Sequence, residues 1–165
     1  MNIRAVLLSA TALAFLAACT PGGIQPSTAS GGSTGVPLTG TVIHVDVNLT
    51  LHPSPPLPLP PTGIGGGFSP NVITVNVGDQ IIFTNSDSFA HTATFIGTQT
   101  SFPANSPFSI AALTRSGSAL SQSWSSGQLN PTNSSQPIVV NAPGTYLYGC
   151  FFHFNGGMRG TIVAQ

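Results

Sequence analysis

The sequence predicts an all-β sandwich of short strands, and three observations carry that expectation. Apolar and polar residues alternate over short runs, the period of a strand that buries one face. Turn formers punctuate those runs: 19 Gly and 15 Pro in 165 residues leave no convincing helix beyond the first eighteen positions. The polar complement is mostly Ser, Thr, Asn and Gln, which suits turns and strands better than helices. With 41% hydrophobic content, 165 residues are enough for one domain with a real core.

At the start, residues 1–18 join Arg4 to the apolar run Ala5–Ala18. That run is too short for a comfortable bilayer span and has the make-up of a cleaved export signal. The junction Leu16-Ala17-Ala18-Cys19 is similar to the bacterial lipoprotein signal, which implies lipid attachment at Cys19 and a membrane anchor. Residues 19–38 read as a tether, because the Gly, Ser, Thr and Pro from Thr20 to Leu38 offer too little apolar surface to order the chain. A flexible segment of that length spans about 25 Å root-mean-square. The folded domain is expected over residues 39–165.

Within that domain the first strand is predicted over residues 41–51, with Thr41, Ile43, Val45, Val47, Leu49 and Leu51 on the core side. His44 and His52 lie on or near its wet face and read as surface residues. Pro53–Gly67 is too rich in Pro and Gly for a central strand and reads as a tolerated, exposed insertion. Val72–Val77 and Gln80–Asn85 form two strands about the Gly78-Asp79 turn. A further strand is expected over Thr92–Ile96. Gly97–Asn130 offers only scattered apolar anchors, Phe102, Phe108, Leu113, Trp124 and Leu129, and no regular element is assigned to it. Pro137–Asn141 restores strand character before the Ala142-Pro143-Gly144 turn and a strand that Cys150 closes.

The chemistry concentrates at that last strand. Cys150, His153 and Met158 place a thiolate, an imidazole and a thioether within nine residues, in a loop that Gly156 and Gly157 allow to curl. His91, after the polar turn Asn85-Ser86-Asp87-Ser88-Phe89-Ala90, supplies a second imidazole. Such soft and borderline donors suit copper rather than magnesium or calcium. Structural zinc takes more thiolates or imidazoles, and Met is a poor ligand for it. A c-type haem would need a second Cys beside the histidine.

The spacing C-x-x-H-x-x-x-x-M through Cys150, His153 and Met158, followed by Gly160 and Ile162, resembles the cupredoxins. So does F-x-N-x-x-x-F-x-H through Phe83, Asn85, Phe89 and His91, and the loop lengths are nearest to plastocyanin and pseudoazurin. The likeness extends through Phe68–Asp79 and Ala142–Tyr146 and covers most of residues 39–165. Two departures are the Pro-rich insertion, expected to leave the ligands untouched, and Thr92, where plastocyanin carries Asn. The resemblance implies a Greek-key β-sandwich holding one type 1 copper on His91, Cys150, His153 and axial Met158. It implies a one-electron carrier between protein redox partners, not an enzyme, with a copper-delivery protein as the alternative.

Asn85 is expected to tie the histidine turn to the copper hairpin, and Thr92 to donate near the thiolate. Phe151, Phe152 and Phe154 are expected to exclude water around His153 and form an apolar contact. Three Arg, three Asp and no Lys or Glu leave no basic stripe for nucleic acid. Exported chains with two Cys commonly pair them, but here one sits at the processing junction and the other among metal donors, so no disulfide is expected. A periplasmic or cell-surface monomer is the expectation.

Overall fold

Alternation of buried and open side chains builds two facing sheets in the computed structural model, which describes residues 40–55 and 65–165. These residues belong to one unit, Val36–Gln165. The expected signal segment, Cys19, the tether and the middle of the Pro-rich loop lie outside the described residues. Ten strands occur among those described: β1 (Val42–Val47), β2 (Phe68–Ser69), β3 (Val72–Val75), β4 (Gln80–Asn85), β5 (Thr94–Gly97), β6 (Arg115–Ser116), β7 (Ser125–Ser126), β8 (Ile138–Val139), β9 (Gly144–Gly149) and β10 (Arg159–Ala164). One sheet has the order β2-β1-β4-β8 and the other β3-β10-β9-β5-β7-β6. Parallel pairs β1–β4 and β3–β10 sit among antiparallel ones, because the chain crosses repeatedly between sheets as a Greek-key sandwich requires.

The inner faces interlock. Val45, Val47, Ile81, Phe83 and Ile138 from one sheet meet Ile73, Val75, Tyr146, Tyr148 and Ile162 from the other, all buried. Each such aliphatic or Phe side chain contributes roughly 1.5–3 kcal/mol relative to exposure. Phe83 stacks on Trp124 at 5.6 Å and meets Tyr148 at 5.1 Å, so the segment without a sequence-based assignment supplies the largest core side chain.

Four elements are shorter than their alternation predicts: β8 keeps only Ile138–Val139 of the expected Pro137–Asn141, and the other three stop or start for a local reason. β1 stops at Val47 because the Asp87 carboxylate accepts from the Leu49 and Thr50 amides (2.9 and 3.2 Å), turning the chain away from the sheet. Leu51, expected in the core, is 67% exposed. β3 ends at Val75 because Asp79 accepts from the Asn76 amide at 2.8 Å and fixes the turn early. β5 starts at Thr94, not Thr92, because His91 pairs with Leu129 through two backbone bonds of 3.0 and 2.8 Å. Residues 97–130 hold a 3₁₀ turn at Ile110–Leu113 and the short strands β6 and β7. Such brief pieces leave too little periodicity to read.

Sheet register then positions the site. β9 and β10 form an antiparallel hairpin, Gly149 opposite Arg159, whose connecting loop carries Cys150, His153 and Met158. β5 lies beside β9 with Thr94 opposite Gly149, which brings His91 and Thr92, just before β5, alongside Cys150.

Candidate metal centre

His91, Cys150 and His153 converge, with one donor atom from each lying within 4.8 Å of the others. Both imidazoles turn Nδ1 toward the same sulfur: Cys150 Sγ is 3.8 Å from His91 and 3.6 Å from His153. His91 and Cys150 are wholly buried and His153 is partly exposed. Met158, also buried, packs in the same core cluster, and its carbonyl accepts from the Cys150 amide at 3.1 Å. His44 and His52 stay outside, the first exposed on β1 and the second 3.2 Å from Asp46.

The surroundings orient the donors and bias His153 and Cys150 in opposite senses with respect to ligation. His91 Nε2 lies 3.1 Å from Asp87 Oδ2, and an ionised carboxylate only accepts, so Nε2 is the donor and, in the tautomer this selects, Nδ1 is the nitrogen left to face the sulfur and ligate. Asp87 itself is buried, which raises a carboxyl. Hydrogen bonds from Thr50, His91 and Ser88 overcome that and hold it well below the usual carboxylate range. Burial pushes the His153 imidazole down, and neighbouring His91 adds to this against Asp87, which favours a neutral ring able to ligate. Burial pushes the Cys150 thiol up, opposed by hydrogen bonds from Thr92 and from the His153 and Phe152 backbone. A bound cation is what would hold this sulfur as a thiolate. A cysteine sulfur, two imidazoles and a thioether, all buried except the partly exposed His153, fit a type 1 copper.

The expected supporting roles shift in detail. Thr92 does donate to the sulfur, but through its backbone amide at 3.4 Å, while its hydroxyl accepts from the Phe151 amide at 2.9 Å. Asn85 does not reach the hairpin: it donates to the Phe89 carbonyl at 2.7 Å and accepts from the Asp87 amide at 2.9 Å, closing the histidine turn, and it donates to the Leu129 carbonyl at 2.8 Å, tying that turn to the segment before β8. Phe152 is 42% exposed with its ring 6.1 Å from that of His153, whereas Phe154 is fully buried and forms no part of the surface. Asp87 and Arg159 were not singled out by the sequence pattern. The carboxylate four residues before a ligand histidine was the available signal for the first. Arg159 lies 4.1 Å over the Phe154 ring and donates to the Phe154 carbonyl at 3.1 Å.

Among solved structures the chain is similar to a purple cupredoxin from Nitrosopumilus maritimus, at 20% identity over 74% of this chain and 98% of that one, with a TM-score of 0.45. It is also similar to a mutant plastocyanin of fern (24% identity, 74% and 100% covered, TM-score 0.44). A dithionite-reduced auracyanin from the photosynthetic bacterium Roseiflexus castenholzii matches at 17% identity, covering 77% and 98%, with a TM-score of 0.45. No curated protein matches the chain. The family profile described as copper binding proteins of the plastocyanin/azurin family matches residues 66–165, more than half of the sequence. That span begins just before β2 and takes in all four donors, and on it the chain belongs to the plastocyanin/azurin family of copper-binding proteins.

Proposed function

We propose that this protein is a one-electron carrier outside the cytoplasm, held at a membrane by lipid on Cys19, with copper on His91, Cys150 and His153 and Met158 as the weak axial donor. The observation that carries the reading is the convergence of two Nδ1 atoms on one buried sulfur, 3.8 and 3.6 Å away. Copper supplies the chemistry when bound, alternating between Cu(I) and Cu(II) as a single electron arrives and leaves. The protein's part is to hold the donors still and dry. Asp87 locks His91 in one tautomer, and the Thr92 amide steadies the sulfur. The sandwich core leaves the buried ligands no freedom to follow each change of charge.

Half-buried His153, with the exposed Phe152 ring beside it and Phe151 packed against Phe152, is the place where an electron enters and leaves, with Phe152 as apolar contact for a protein redox partner. The protein acts as a monomer and transforms no substrate. Carrier and copper-delivery protein separate on one experiment: the electron self-exchange rate between reduced and oxidised protein, beside the rate of copper release to a chelator. Fast exchange with retained copper supports the carrier. Slow exchange with ready release in the reduced state contradicts it.

A further inference from the structure

The Pro-rich insertion was expected to leave the ligands untouched, yet its described C-terminal end lies against them. A Cβ on Gly67 would stand 2.5 Å from Met158 Cγ, 2.8 Å from Sδ and 2.8 Å from Cε. The thioether is therefore seated on the bare backbone of Gly67. The contact is built on both sides. The Gly67 amide donates to the His52 carbonyl at 2.6 Å and its carbonyl accepts from the Asn48 amide at 2.8 Å, tying it to the chain leaving β1. One residue earlier, the Gly66 amide donates to the Gly157 carbonyl at 3.0 Å, and a Cβ on Gly65 would meet the Arg159 carbonyl oxygen. Met158 is 0% exposed, so its side chain has no solvent to swing into if displaced.

We infer that Gly65–Gly67 forms the wall of the metal site that fixes the axial methionine, with Gly67 as the positioning residue. The insertion thus helps to set the Met158 position, and through it the colour and reduction potential that an axial donor tunes. This rests on the copper reading above for its effect on the metal, though not for the contact itself.

Gly78 provides the control. Gly67 and Gly78 both sit at positive φ, +76° and +102°, so Ala at either strains the backbone, but nothing lies within 4 Å of a Cβ at Gly78. In the copper-loaded full chain, Gly67→Ala should change the ratio of the visible charge-transfer bands and the anisotropy of the copper EPR signal. Gly78→Ala should leave both at parental values. In urea unfolding of the metal-free protein, Gly67→Ala should lower the midpoint more than Gly78→Ala, and that excess should vanish in a Met158→Ala background. Should Gly67→Ala fold only in that background, the collision is equally established. Parental spectra in Gly67→Ala, an equal loss in both backgrounds, or failure to fold in both would overturn the proposal. A parent without any thiolate-to-copper band would remove the copper reading, and the metal-free cycle would still decide the contact.

Discussion

Asp87 shows how a single residue serves fold and site together. Its carboxylate ends β1 by taking the Leu49 and Thr50 amides, accepts the Thr50 hydroxyl at 2.9 Å, and orients His91. Removing it leaves the buried His91 Nε2–H without a partner, at about 1–3 kcal/mol, and takes an acceptor from the part-buried Leu49 and Thr50 donors, which water can reach in part. Asp87→Ala should therefore destabilise the metal-free protein by roughly 3 kcal/mol in urea unfolding, and Asp87→Asn by less, since its amide oxygen still accepts. A loss within 0.5 kcal/mol of zero for the Ala variant, roughly the range of an ordinary surface substitution, would contradict this role. The four donors were legible because Cys, His and Met in that spacing have few other uses. Asp87 was not, because Asp in a polar turn is ordinary, and its task depends on β1 arriving from elsewhere in the chain. Gly67 was hidden for a similar reason: its need for no side chain arises from Met158, far along the sequence.

Among the elements, the ligand loop depends on the segment that alternation could not read. Phe154 is buried against Phe102 and Phe108, at 6.4 and 5.5 Å between ring centroids, while Asn155 accepts from the Ser106 amide at 2.8 Å. Arg159 closes the stack, its guanidinium over Phe154 and 5.6 Å from the Phe102 centroid. Phe154→Ala should cost about 3–5 kcal/mol, the usual range for a buried aromatic emptied to a cavity. It should also release the loop that carries His153 and Met158, seen as faster amide exchange from Phe151 to Gly157. Unchanged exchange there would mean that the hairpin holds itself. The longer strands β4 and β9 were legible from their alternation. The two-residue strands β6 and β7 were not, because their positions come from pairing partners and from Trp124, which no local period announces.

For the molecule as a whole, the sandwich followed from composition and turn spacing, and the metal from four residues. Its address rests on the first nineteen residues. On the proposed lipid attachment at Cys19, intact cells should yield the protein in a membrane fraction that detergent releases and salt does not. Cys19→Ser should make it soluble or block its processing, and release of the unaltered protein by salt alone would contradict the lipid anchor. Only six residues, three Arg and three Asp, carry fixed charge, so electrostatic attraction offers no competing explanation for firm binding. The copper site itself is most directly examined by the visible absorption and EPR spectra of the copper-loaded protein beside its Cys150→Ser variant. An intense charge-transfer band and narrow copper hyperfine splitting are predicted in the parent and absent from the variant. Either signal persisting without the Cys150 sulfur, or both missing from the parent, would contradict a thiolate-bound copper at this site.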